Sequence, residues 1–303
     1  MTYDIIIVGG GPAGLTAAVY ALRAGKTVLV IEKAGFGGQI AFSPKVENIP
    51  GTKLISGSAF ADLLTEQAMA LGADVELDTV TGMDAAGDVK KVFTESGGEF
   101  TARAVILAVG VKHRMLGLPG EEDLIGNGIS FCAVCDGAFY TGQDTVMVGG
   151  GNSALQEALL LSEVCRHVTV VQNLAFLTGE KKLEQALKEK DNVDILYSTV
   201  ADEYLTKDGV ISGLRVKNTE TGESRDIPAD GVFLAVGLVP ENDAFADAVR
   251  LDDRGYFDVD ENCATATPGV FVAGDCRRKN IRQVTTAAGD GAVAAMAACR
   301  FIG

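Results

Sequence analysis

The 303-residue chain has no tryptophan, two histidines, six cysteines and seven prolines, and its 26 Lys+Arg are outnumbered by 41 Asp+Glu. Each shortage closes off a class of protein. A net charge of −15 repels phosphate backbones, which excludes a general nucleic-acid binder. Six cysteines are too sparse at this length for a disulfide scaffold. No basic region precedes the first apolar stretch, which stops at Gly9-Gly10-Gly11, so no secretory signal is read. No run approaches the roughly 18 apolar residues of a spanning helix. Hydrophobic residues at 47% exclude disorder, and the length gives a prior of two domains. A soluble, cytoplasmic α/β protein with no membrane partner is the expectation. One residue is in surplus: glycine, 37 of 303 or about 12%, against a usual ~7%. Excess glycine without proline points to backbone that something approaches closely.

Residues 3–8 read as a buried strand, Gly9-Gly10-Gly11-Pro12-Ala13-Gly14 opens a helix reaching about residue 24, and residues 27–31 form a second strand ending at Glu32. A G-x-G-x-x-G hexapeptide alone is weak; between strand and helix, with an acid ending the next strand, it is a dinucleotide fingerprint. The glycines permit the tight turn and let amides meet a pyrophosphate at the helix N-terminus. Glu32 can accept from an adenosine ribose hydroxyl.

The pattern recurs 140 residues later. Residues 145–148 form a strand, Gly149-Gly150-Gly151-Asn152-Ser153-Ala154 is G-x-G-x-x-A, and a helix leads to a strand at 168–171. Near the C-terminus, a short apolar strand over 268–275 delivers Gly274-Asp275 at its carboxyl end, where open α/β sheets bind ligands. A helix follows over about 282–300, its early turns rich in Ala and Gly as if packed under a flat ligand. The fold expected is α/β, with two Rossmann-like (three-layer ββα) dinucleotide-binding domains, the first discontinuous. Residues 1–112 and 243–303 form the first domain, 117–239 the second, and 113–116 and 240–242 are hinge-like linkers.

Cys132-Ala133-Val134-Cys135-Asp136 falls in the second domain. Zinc needs four ligands, and no second Cys or His pair stands at matching spacing; no metal is expected. The redox reading fits better, because this spacing lets two sulfurs close a disulfide and one thiol can be acidic enough to attack near neutrality. Asp136 can protonate a leaving thiolate if burial raises its pKa; otherwise it is a turn or helix-cap residue.

Together Gly9–Gly14, Gly37-Gly38-Gln39, Glu47-Asn48-Ile49-Pro50-Gly51, Cys132–Asp136, Gly149–Ala154, Gly274-Asp275 and Arg282-Gln283 resemble, in order and over nearly the whole chain, the low-molecular-weight thioredoxin reductases. The resemblance implies a homodimer with tightly held FAD, whose C-x-x-C pair takes electrons from the flavin and passes them to thioredoxin as the second domain rotates. On that basis Cys135 is the sulfur nearer the flavin, Cys132 attacks thioredoxin, and Asp136 is the general acid. The FAD contacts implied are Gly9, Gly11, Pro12, Ala13, Gly14, Glu32, Lys33, Gly38, Gln39, Asn48, Gly274, Asp275, Arg282, Gln283 and Val284.

The chain departs from that family at its second fingerprint. The offset that reaches Glu32 in the first unit (9 + 23) reaches Gln172 in the second (149 + 23). NADPH-using members carry H-R-R-x-x-x-R from this point, since cations must hold the 2′-phosphate. Here the three arginine positions are Asn173, Leu174 and Thr178, and the nearest cations are Lys181 and Lys182. The pattern resembles the branch that does not use pyridine nucleotide, notably the ferredoxin-dependent flavin thioredoxin reductases, and ferredoxin is the donor expected. A ferredoxin at about −400 mV feeding a thioredoxin couple at about −270 mV releases roughly 6 kcal/mol for two electrons. The alternatives are an NADPH- or NADH-dependent thioredoxin reductase with an atypical nucleotide site, and a flavin-binding carrier or regulator without thioredoxin turnover. Arg277-Arg278-Lys279-Asn280-Ile281-Arg282, with a smaller cluster at Lys112, His113 and Arg114, offers a docking patch for an acidic donor; a solvated loop, or cations answering the FAD pyrophosphate, is the other reading. Cys165, Cys263, Cys276 and Cys299 are expected to be buried or incidental thiols.

Overall fold

A computed structural model describes residues 1–43 and 46–303. The first third of the chain runs β1 (Thr2–Val8), α1 (Pro12–Arg23), β2 (Val28–Glu32), α2 (Gly57–Ala70), β3 (Asp74–Leu77), β4 (Val80–Asp84), β5 (Lys90–Thr94), β6 (Glu99–Leu107) and β7 (Val111–His113). Next come β8 (Ile129–Ser130), α3 (Ala133–Asp136), β9 (Asp144–Val148), α4 (Asn152–Val164), β10 (His167–Val171), α5 (Lys181–Lys188) and β11 (Val193–Leu196). The remainder is β12 (Thr199–Lys207), β13 (Val210–Asn218), β14 (Ser224–Pro228), β15 (Gly231–Leu234), β16 (Leu238–Pro240), β17 (Val270–Val272) and α6 (Val284–Ile302). These elements make two units, Met1–Lys112 with Val239–Gly303, and His113–Leu238. At the two crossings of the chain, β7 and β16 pair as a two-stranded ribbon.

In the first unit β3, β2, β1, β6 and β17 lie side by side and parallel, while β5 and β4 extend the sheet antiparallel from the first half of β6. β1 is β-branched at Ile5-Ile6-Ile7-Val8 and buried on both faces, as a central parallel strand must be. Alternation sorts its side chains. Ile5, Ile7, Val30 and Ile106 pack under α1 and α6, whereas Ile6, Val8, Ile31 and Leu107 face Phe245 and Phe257 on the other side.

The later small residues of α6 have a helix as their neighbour. They pack on α1: a Cβ on Gly291 would lie 2.1 Å from the Ala13 carbonyl oxygen, and Ala294, Ala295 and Ala298 share a cluster with Ala17, Ala18 and Ala21. Small residues on both helices let the backbones close up. α6 also begins later than the sequence suggests, at Val284, because Gln283 and Thr286 form a reciprocal capping box.

The second unit repeats the parallel order, β11-β10-β9-β15-β8. Met147, Val168, Val170 and Phe233 face α4, and Val146, Val148 and Val232 face an antiparallel layer of β12, β13 and β14 through Tyr204, Leu214 and Val216. These are the three layers of a Rossmann-like ββα unit. Among the described residues, no helix is long and apolar enough to cross a membrane.

Candidate functional site

The first glycine turn joins β1 to α1. Gly9 adopts φ +107°, and a Cβ there would lie 2.3 Å from the Ala108 carbonyl oxygen; a Cβ on Gly14 would lie 1.9 Å from the Gly9 oxygen. Both positions therefore need glycine. Gly11 differs, because its Cβ direction meets nothing nearer than Gly38 Cα at 3.8 Å. Room is left over the N-terminus of α1, where Gly11 supplies no side-chain cap and the first turn holds no acid. Uncapped amides beside open space are what a pyrophosphate requires. Glu32 ends β2 here, its carboxylate accepting from the amides of Gly10 at 2.6 Å and Ala34 at 3.0 Å. Lys33 pairs with Glu241.

Other residues of this set also lie within the first unit. Gly274 (φ +83°) comes so close to α1 that a Cβ would meet Ala13 Cβ at 2.8 Å. Asp275 follows it with Oδ1 buried and without a hydrogen-bond partner; Lys279 Nζ is 3.7 Å away. Burial raises the Asp275 pKa against the pull of Lys279 and Arg282. Asn48 donates to Gln283 Oε1 at 3.2 Å, and Arg282 stacks 4.5 Å from the centroid of Tyr256. Gly38 and Gln39 open a 3-10 turn over Gly38–Phe42. A Gly-lined cradle and an acceptor awaiting a donor fit the dinucleotide expected from the sequence.

The cationic segment after Asp275 is not the free patch its composition suggested. The Arg277 guanidinium holds both oxygens of Asp290 at 2.8 Å, and Lys279 Nζ reaches the same carboxylate at 2.9 Å. The Arg277 and Lys279 side chains are only 11% and 7% exposed. Burial opposes ionisation of Asp290, yet these two cations hold its pKa below the usual value. Arg278 is tied to Asp258. The smaller cluster is also reduced: Lys112 pairs with Glu241, and His113 stacks on Phe131 at 4.3 Å, its pKa lowered by burial to about 4.

In the second unit, Cys132 and Cys135 form a disulfide, with Cα atoms 5.3 Å apart. Cys132 is the extended N-cap of α3, so the amides of Cys135 and Asp136 both point back to it. The Cys135 amide also donates to Cys132 Sγ at 3.2 Å, an arrangement that favours a thiolate there after reduction. Ser130, at the end of β8, accepts the Cys132 amide at 3.1 Å and donates its hydroxyl to Asp136 Oδ2 at 2.6 Å. Asp136 Oδ1 is buried without a partner, and burial raises the Asp136 pKa although the Ser130 bond opposes this. Glu157 on α4 accepts the Ala133 amide at 3.1 Å. Ser130 and Glu157 escaped the sequence reading. Ser130 stands two residues before the motif, which could have flagged it; nothing local links Glu157 to a segment 24 residues earlier. Cys165, Cys263, Cys276 and Cys299 are buried and free, with burial pushing the thiols of Cys263 and Cys276 up to about 11 and about 12.

The second glycine turn copies the first in backbone. Gly149 adopts φ +136°, and a Cβ would lie 2.5 Å from the Ala235 oxygen, as Gly9 stands to Ala108. The side chains beyond it do not match. Gln172 is buried against Gly150 and turns its amide to the Phe176 carbonyl at 2.8 Å. Thr178 and Gly179 donate their amides to Gly150 O at 2.8 and 3.1 Å. Asn152, the first residue of α4, is met by the Glu180 carboxylate. Leu174 and Phe176 are exposed, Phe176 by 59%. Lys181 projects into solvent and pairs with Glu184 at 2.7 Å.

Residues 3–291 match the pyridine nucleotide-disulphide oxidoreductase family. A Clostridium pasteurianum protein described as the 34.2 kDa protein in rubredoxin operon is 39% identical over 300 residues, covering 99% of this chain and 97% of its own length. The thioredoxin reductase of Bacillus subtilis (strain 168) is 37% identical over 308 residues, covering 99% and 95%. Among solved structures, thioredoxin reductase from Streptococcus pyogenes MGAS5005 matches with a TM-score of 0.92 at 39% identity, over 99% of this chain and 98% of that one. Sharing sequence and fold over nearly its whole length, the chain belongs to the low-molecular-weight thioredoxin reductase family of pyridine nucleotide-disulphide oxidoreductases, flavoproteins that bind FAD and carry a C-x-x-C disulfide.

Proposed function

We propose that this protein is a cytoplasmic, homodimeric reductase that passes electrons through the Cys132–Cys135 pair to thioredoxin and receives them from reduced ferredoxin rather than a pyridine nucleotide. One observation carries the donor assignment. The segment after the second glycine turn presents Gln172, Asn173, Leu174 and Thr178 where a 2′-phosphate needs cations. Gln172 spends its amide on the Phe176 carbonyl.

The unit Met1–Lys112 with Val239–Gly303 is the proposed FAD-binding domain, His113–Leu238 the dithiol-bearing domain, and the two crossings between them the linkers. FAD would be held by Gly9, Gly11, Pro12, Ala13 and Gly14 at the turn, by Glu32 and Lys33, by Gly38, Gln39 and Asn48, and by Gly274, Asp275, Arg282, Gln283 and Val284. Bound there, it would supply two electrons to the disulfide and accept them singly from an iron–sulfur donor. Cys135 is the sulfur assigned to the flavin side and Cys132 the one that attacks thioredoxin. Asp136, its carboxyl pKa raised by burial, is the acid assigned to the departing thiolate, and the Ser130 hydroxyl donates to its Oδ2.

A steady-state assay tests this reading. With photoreduced ferredoxin as donor, the wild type is expected to reduce thioredoxin and Cys135→Ser to be inactive; with NADPH, both stay near background. Full turnover of Cys135→Ser refutes the dithiol route, and NADPH-driven turnover equal to that with ferredoxin refutes the donor assignment.

A further inference from the structure

Two carboxyls, not one, stand at the redox pair. Asp136 lies within the motif, while Glu157 reaches it from α4, accepting the Ala133 amide at 3.1 Å. Ala133 is the first residue of α3, so this contact anchors the turn that carries both sulfurs. With Ala133 held, the Cys135 amide is left to donate to Cys132 Sγ. We propose that Glu157 is a positioning residue for the dithiol: it fixes the first turn of α3 through the Ala133 amide and takes up a proton when Cys132–Cys135 is reduced. The proposal rests on the reading of that pair as the redox route.

Charge balance supplies the reason. Reduction adds two electrons, from the flavin chemistry of the family, and breaks the sulfur–sulfur bond. One proton completes one thiol. The other sulfur, held by the Cys135 amide, stays a thiolate, and its new negative charge makes a neighbouring carboxylate costlier to keep ionised. The second proton therefore goes to Glu157.

The surroundings favour this. Burial, with a smaller contribution from the Asp136 charge, outweighs the Ala133 amide and lifts the Glu157 carboxyl to about 7. From the turn after α3, Tyr140 faces Asp136, and burial keeps its phenol neutral, up to about 12. On α5, which packs against α4, Lys181 and Lys188 are both paired with Glu184. Among the described residues, no ion pair reaches Glu157. A carboxyl this close to neutrality can change its charge when one nearby group changes.

The test uses holoenzyme reduced with dithiothreitol and freed of it, with iodoacetamide alkylation of Cys132 and Cys135 followed by mass spectrometry from pH 5 to 9. In the wild type, coupling to Glu157 splits the profile into two inflections. Glu157→Gln keeps an acceptor for Ala133 but cannot titrate; its profile should show a single inflection, with half-maximal alkylation about one pH unit lower. Glu157→Asp should restore two inflections. Superimposable Glu157→Gln and wild-type profiles overturn the proposal. Infrared difference spectra cover the case in which no Glu157 variant folds. Reduction of the wild type at pH 7.5 should add a protonated-carboxyl band, retained in Asp136→Asn; its absence from the wild type overturns the proposal. Neither readout involves thioredoxin or a donor, so failure here is separable from failure of the dithiol route, which appears as turnover in Cys135→Ser.

Discussion

Gln172, directly after β10, stands in the second unit where Glu32, the last residue of β2, stands in the first, each against the middle glycine of its turn, yet the two side chains do opposite things. Glu32 presents a carboxylate to the Gly10 amide at 2.6 Å, beside the space left over Gly11. Gln172 bends back to the Phe176 carbonyl, and a Cβ on Gly150 would strike its amide carbon at 2.4 Å. One duplicated backbone thus supports two side-chain sets. Only the first presents a carboxylate at this position; the second presents an amide.

If missing cations are what separates this chain from nucleotide-using relatives, supplying them should create a new activity. The triple variant Asn173→Arg, Leu174→Arg, Thr178→Arg is expected to gain NADPH-dependent flavin reduction at least tenfold above the wild type. Stopped-flow absorbance measures it.

The two glycine turns should fail differently. Gly9→Ala places a methyl 2.3 Å from the Ala108 oxygen at φ +107°, and Gly149→Ala does the same 2.5 Å from Ala235. Strain of about 1–3 kcal/mol is expected at each. Gly9→Ala should also weaken FAD retention by about tenfold or more, whereas Gly149→Ala should leave the flavin-to-protein ratio unchanged. Absorbance of the purified variants decides.

Asp290 is the anion between Arg277 and Lys279, so Asp290→Asn leaves the buried Arg277 without a counter-charge and Lys279 with only Asp275, 3.7 Å away. A loss of about 3–5 kcal/mol is expected in urea unfolding. The folded-state pKa of Asp290 is lowered. Its contribution is therefore full above the unfolded value of about 4 and fades as pH falls through the lowered one. The gap between variant and wild type should narrow in acid.

Tyr204 donates to Glu121 at 2.6 Å, and the same carboxylate accepts the amides of Leu116 and Gly117. Tyr204→Phe removes one of three donors and leaves the carboxylate held. It should cost about 1.5–3 kcal/mol in the same assay, while the flavin absorbance stays as in the wild type.

Asp136→Asn keeps the shape of the site but removes its proton. Thioredoxin turnover is expected to drop about 10²–10⁴-fold. The folded pKa of Asp136 is raised, so wild-type activity should fall as pH climbs through that raised value. The alkaline limb due to this group should vanish in the variant.

What could be read in the sequence was whatever short-range geometry dictates. Glycine turns at Gly9 and Gly149, the acid at Glu32 and the Cys132–Cys135 spacing are all fixed within some 25 residues, and periodicity places them on strand ends and helix starts. Ser130 and Glu157 were missed because their roles come from contacts that only the folded chain brings about. The segment after Asp275 misled for the same reason. Four cations in six residues look like a surface patch until α6 brings Asp290 under Arg277 and Lys279.

The most direct test of the account is an anaerobic titration of the oxidised, yellow protein, monitored at the flavin absorbance. Reduced ferredoxin should bleach the flavin within the mixing time at two electrons for FAD and two more for the disulfide, while stoichiometric NADPH or NADH leaves the spectrum unchanged. Rapid bleaching by stoichiometric NADPH, with none by ferredoxin, would contradict it.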